Sequence, residues 1–180
     1  MTALKEWSAV VHALLDGRQT VLLRKGGIHE KRFDVAADEF VLFPTIEHSH
    51  AQRVRPEHRD LFAAASADST DDRVILRAAA KVVAVVPVNS PERLGEIEDL
   101  HVWTADSVRA DRLDFRPKHR LAVLVVQAMP LVEPVRLSRT PDYAGCISWL
   151  QVPVTPRLAK PVHDDAALQR VADRVRDTVG

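Results

Sequence analysis

The chain has 180 residues, 46% of them apolar, with 25 basic and 25 acidic side chains and hence no net charge. That length and apolar content support one domain with a sizeable core and exclude a disordered chain. Neutrality excludes a global field for polyanions, so any such partner must meet a local patch.

Charge is nevertheless uneven. Residues 63–108 carry four basic and eight acidic groups, and residues 109–139 carry seven basic and three acidic. Two solvated faces of opposite sign would give the same pattern. Cys146 is the single cysteine, so an internal disulfide and a zinc ribbon are excluded. No apolar run reaches membrane-spanning length, and the N-terminus lacks a signal-peptide core. A soluble, cytoplasmic protein is the expectation.

Leu4, Trp7, Val11, Leu14 and Leu15 recur at three- and four-residue spacing, which predicts a helix over 3–16 stopped by Gly17. Thr20–Leu23 reads as a strand that runs into Arg24, Lys25 and the pair Gly26-Gly27, with Phe33–Val35 as its partner. Glu39–Phe43 is the next strand, closed by Pro44. A helix is predicted over 56–65 and a polar loop over 67–72. Lys81–Val88 reads as a strand, whereas periodicity leaves 73–80 open between strand and helix.

Ser90 and Thr104 are expected N-caps of two short helices, with Trp103 between them as a packing plug. The apolar run within 119–131 predicts a strand buried on both faces and ended by Pro130 and Pro134. Residues 146–152 give another strand. Pro153, Pro156 and Pro161 make 153–163 a stiff connector to a C-terminal helix over 164–179 capped by Asp164. The elements do not alternate strictly and no G-x-G-x-x-G is present, which argues against a Rossmann sheet. The expected fold class is α+β: one domain, 1–180, with a curved, barrel-like mixed sheet flanked by helices.

Chemistry gathers at the end of the second predicted element. Arg24 offers a planar fork and Lys25 a point charge, beside glycines that let a ligand approach the main chain. Arg24, Lys25, Gly26, Gly27 and His29 are therefore the candidate phosphate-binding residues, supported by Glu30, Glu47, His48, Arg112 and Arg116. An ordinary hairpin with a solvated basic edge reads equally from these residues. Trp103, Tyr143 or Trp149 would stack on an unpaired base.

A metal-dependent phosphodiesterase is the alternative, with Glu30, Glu39 and Glu47 on a divalent ion and Lys25 on the phosphate. It lacks a clean acidic-pair-and-lysine motif. His48 and His50 share a strand face but need a third ligand, from His29 or His58. No resident cofactor is expected. A protein-interaction domain, or self-association, is the remaining class. Cys146 in its apolar run reads as a small buried hydrophobe.

Several segments carry a resemblance. Leu4-Lys-Glu-Trp7, Leu22-Leu-Arg-Lys-Gly-Gly-Ile28, Phe40-Val-Leu-Phe-Pro-Thr45, Glu47-His48, Arg55-Pro-Glu-His58, His101-Val-Trp-Thr104, Leu121–Val126 and Gly145-Cys-Ile-Ser-Trp149 together resemble the bacterial domain-of-unknown-function family eighteen-zero-two. That resemblance implies no known activity. It hints at nucleic-acid defence, through members that occur with restriction-type endonuclease domains. Separately, Gly17, Thr20 and Arg24 resemble the G-x-K-T-x-E-x-R pattern of ASCH domains, with Gln19 in place of the lysine and Leu22 in place of the glutamate. This second likeness implies a PUA-like barrel related to nucleic-acid-binding modules.

Overall fold

A computed structural model describes residues 1–25, 33–46, 50–115, 117–145 and 147–180. Its centre is a pair of long antiparallel strands, β4 (Arg73–Pro87) and β5 (Leu121–Ser138). Both are rich in Val, Leu and Ala, which fit a pleated buried surface. The segment 73–80, left open by periodicity, is strand throughout.

β5 runs on through Pro130 and Pro134, contrary to expectation. Between Ala78↔Pro130 and Leu76↔Val135 the register shifts, with more residues on β5 than on β4. The prolines thus sit at a bulge, where a missing N–H breaks no ladder bond. A second shift lies between Val82 and Ala84. Two bulges in one strand pair bend it strongly.

The remaining strands are β1 (Thr2–Trp7), β2 (Val21–Lys25), β3 (Glu39–Thr45) and β6 (Trp149–Gln151). Sheet order is β2-β5-β4-β3-β1-β6, with β1 parallel to β3 and the other pairs antiparallel. This mixed sheet curls into a half barrel within an α+β fold, as expected.

The predicted N-terminal helix is corrected. Its first five positions belong to β1, and the helix proper is α1 (Ser8–Leu15), with the short helices α2 (His50–Arg53) and α3 (Leu61–Ala65) following β3. Ladders to β3 and β6 override local helical spacing there. Phe33–Val35 is not a strand.

Side-chain alternation divides the core. Phe40 and Leu42 enter one cluster with α1, while Val41 and Phe43 enter another with Ala3, Leu76 and Tyr143. The helix α5 (Asp165–Val179) buries Leu168, Ala172, Val175 and Val179 in the first cluster, and Asp164 Oδ1 accepts from Ala167 N at 2.7 Å as its cap. The proline-rich stretch before it lies along β5: Ala159 N donates to Pro130 O, and Val162 N to Ala128 O. Asp68, expected in a polar loop, is fully buried, with Arg77 Nε and His12 Nε2 on its carboxylate. Among the described residues no helix is long and apolar enough to cross a membrane.

Candidate functional site

β2 starts in the core at Val21–Leu23 and emerges half-buried at Arg24 and Lys25. It lies four places from β1 in the sheet order. A flat sheet would hold the two strands about 19 Å apart, at ~4.8 Å per step. Instead Arg24 Nη1 donates to Glu6 Oε2 at 3.1 Å and to Lys5 O at 3.2 Å. The curl therefore brings the end of β2 against β1, and this ion pair bridges the barrel's mouth.

Glu6 is 4% exposed, and its Oε1 accepts from Trp7 N at 2.9 Å. The Arg24 guanidinium also lies 4.9 Å from the Phe33 ring centroid. Arg24 is thus a held group facing a carboxylate, where the sequence suggested a cation open to solvent.

Lys25 Nζ donates to the carbonyls of Arg112 at 2.7 Å, Leu113 at 3.4 Å and Phe115. These carbonyls close a π turn, Arg109–Asp114, whose defining bond runs from Phe115 N to Ala110 O. The turn continues α4 (Ala105–Val108), whose predicted cap holds: Thr104 Oγ1 accepts from Ser107 N at 3.1 Å. The predicted cap at Ser90 does not form, although the segment Pro91–Leu100 is helical in the 3-10 manner. Burial pushes the Lys25 ammonium pKa down, with Arg112 adding to it and Asp114 opposing.

Between the ends of β1 and β2, the π turn and the residues Gly145, Ile147 and Ser148 lies a cleft of about 680 Å³. Lys5, Arg24, Lys25, Arg53 and Arg112 line it, against the carboxylates of Glu6 and Asp111. Arg53 Nη1 lies 3.4 Å from Asp111 Oδ2. Lys5 Nζ donates to Gly145 O at 2.8 Å, and Gly145 holds the left-handed φ of +80° that suits glycine.

Arg112 differs from the rest. Burial lowers its pKa first, Glu6 then raises it, and Arg24, Asp111 and Arg53 act with smaller and opposite signs. Among the described residues nothing accepts a hydrogen bond from its guanidinium.

Arg24, Lys25 and Arg112 thus line one cleft. Gly26, Gly27, His29, Glu30, Glu47, His48 and Arg116 lie outside the described residues. The basic segment does not act as one patch. Arg109 faces a different cavity and Arg120 a third hollow beside Phe33. Lys5, Glu6, Arg53 and Asp111 escaped the sequence reading, because only the curl brings them to the cleft.

Of the aromatic candidates, Trp103 is buried edge-to-face on Trp7, and Tyr143 is buried on Phe43. Trp149 packs on Phe33 and Phe40. The exposed aromatic at the cleft is Phe115, 57% accessible. Among the described residues no three His, Cys, Asp or Glu side chains gather as a metal site, and Glu39 is exposed on its strand.

Comparison with solved structures finds an ASCH protein of Zymomonas mobilis at 12% identity, with 72% of this chain and 71% of that one covered and a TM-score of 0.42. Two mutants of the Zymomonas mobilis protein are also similar. One shows 10% identity over 95% and 94% of the two chains with a TM-score of 0.47. The other shows 12% over 95% and 96% with 0.46. No curated protein matches the sequence. A family model, Domain of unknown function (DUF1802), matches residues 3–174. With nearly its whole length covered, the chain belongs to that family.

Proposed function

We propose that the chain is a nucleic-acid-binding module whose cationic cleft receives the phosphate backbone of a single strand. The carrying observation is that Lys5, Arg24, Lys25, Arg53 and Arg112, scattered along the sequence, line one cleft with only Glu6 and Asp111 opposing them. Each carboxylate lies against one arginine, which leaves a positive excess for a ligand.

Arg112 is the centre of this reading. Arg112 is half-buried and its guanidinium has no acceptor among the described residues, and a phosphate would supply two acceptors in its own fork geometry. Arg24, fixed by Glu6, and Lys25, fixed on the π-turn carbonyls, would shape the field around that phosphate. The cleft volume falls within the ~300–1,000 Å³ typical of small-ligand sites, so it fits a nucleotide unit and not a duplex.

The test is a titration with single-stranded RNA and DNA oligomers at low and near-physiological salt. The reading expects measurable binding at low salt that weakens as salt rises. Absence of binding at low salt would remove it.

A further inference from the structure

The π turn has a second face. Leu113 and Asp114 line a separate cavity of about 450 Å³, walled on the other side by the Pro91–Leu100 segment. Leu94, Val108 and Leu113 supply its apolar walls.

His101 lines this cavity and is only 2% exposed. Trp103 N donates to its Nδ1 at 3.2 Å. An Nδ1 that accepts leaves the ring proton of the neutral imidazole on Nε2. Burial, helped by Arg55 and opposed by Asp99, holds the ring pKa at about 4, so the neutral form prevails at neutral pH. Among the described residues the ring's one side-chain hydrogen bond is that at Nδ1, and the residue lines the open cavity. That leaves the Nε2–H as a donor for a ligand oxygen in the cavity.

The rim has the opposite sign to the cationic cleft. Glu92, Glu98 and Asp114 line the cavity, while its one lining cation, Arg109, lies 3.7 Å from Asp114. Such a rim repels anions and accepts N–H donors.

We propose that this cavity is a second ligand site, for a neutral aromatic amide or lactam. The carbonyl accepts from His101 Nε2, the amide N–H donates to a rim carboxylate, and the ring packs among Leu94, Val108 and Leu113. This site is independent of the nucleic-acid reading.

Benzamide and benzoate, titrated separately into the full chain and followed by the methyl NMR signals of Leu94, Val108 and Leu113, test it. Benzamide should shift these methyls saturably, and benzoate should bind at least about tenfold more weakly. Ala105→Trp, which fills an exposed part of the wall, should abolish the shifts. His101→Asn, which keeps an acceptor for Trp103 N but loses the Nε2 donor, should weaken binding about tenfold. The proposal is overturned if benzamide moves none of these methyls, if benzoate binds as well, or if either variant binds like the wild type.

Discussion

Acidification from about pH 7.5 to about pH 5 should cost the fold about 2 kcal/mol through His101 alone. The imidazole titrates near 6.5 when unfolded and is held at about 4 in the fold, first by burial and then by Arg55, with Asp99 opposing. Between those values the unfolded chain binds a proton that the native chain refuses. Stability from this group is therefore complete above pH 6.5 and drains away as pH falls toward 4. A shift of that size is worth about 3 kcal/mol in total at 1.36 kcal/mol per unit, of which about 2 is lost by pH 5.

Urea unfolding of the wild type and His101→Asn at both pH values measures this directly. Asn keeps an oxygen for the Trp103 N–H and does not titrate. His58 is also depressed, by burial and Arg55, and adds its own loss to both proteins, so the difference between them isolates His101. Equal acid losses in the two proteins would refute the reasoning.

Glu6→Gln keeps acceptors for Trp7 N and Arg24 but removes the charge; it should destabilise by about 1–2 kcal/mol in thermal unfolding and tighten oligonucleotide binding. Asp68→Ala deprives Arg77 and His12 of their shared carboxylate and should cost about 2–3 kcal/mol, since both partners retain some solvent to fall back on. Asp164→Ala removes the cap of α5 and should cost about 1 kcal/mol, read by denaturant unfolding.

The elements legible in the sequence were those written in continuous local pattern. The Val- and Leu-rich runs of β3, β4 and β5 and the stripe Leu168, Val175, Val179 of α5 announce their burial without reference to the rest of the chain. Asp164 and Thr104 do so as caps. β1 was hidden because Leu4, Trp7 and Val11 satisfy helical spacing, and only distant partners in β3 and β6 decide otherwise. The prolines of β5 misled for a similar reason: a bulge set by β4 relieves them of a ladder bond.

The site was half legible. Arg24 and Lys25 stand out at a strand end, and Arg112 in a basic run. Their neighbours Lys5, Glu6 and Arg53 come from the curl of the sheet, which no short window contains. That curl also converts Arg24 from a free cation to one braced by Glu6.

The most direct measurement is the salt dependence of single-stranded oligonucleotide affinity in the wild type, Arg112→Ala and Lys160→Ala, the last an exposed cation that does not line the cleft. Arg112→Ala should weaken binding by about tenfold to a hundredfold and lower the logarithmic salt slope by about 0.7, one phosphate contact on a single strand. Lys160→Ala should leave both nearly unchanged. Equal slopes and affinities in the wild type and Arg112→Ala would contradict a phosphate at this guanidinium.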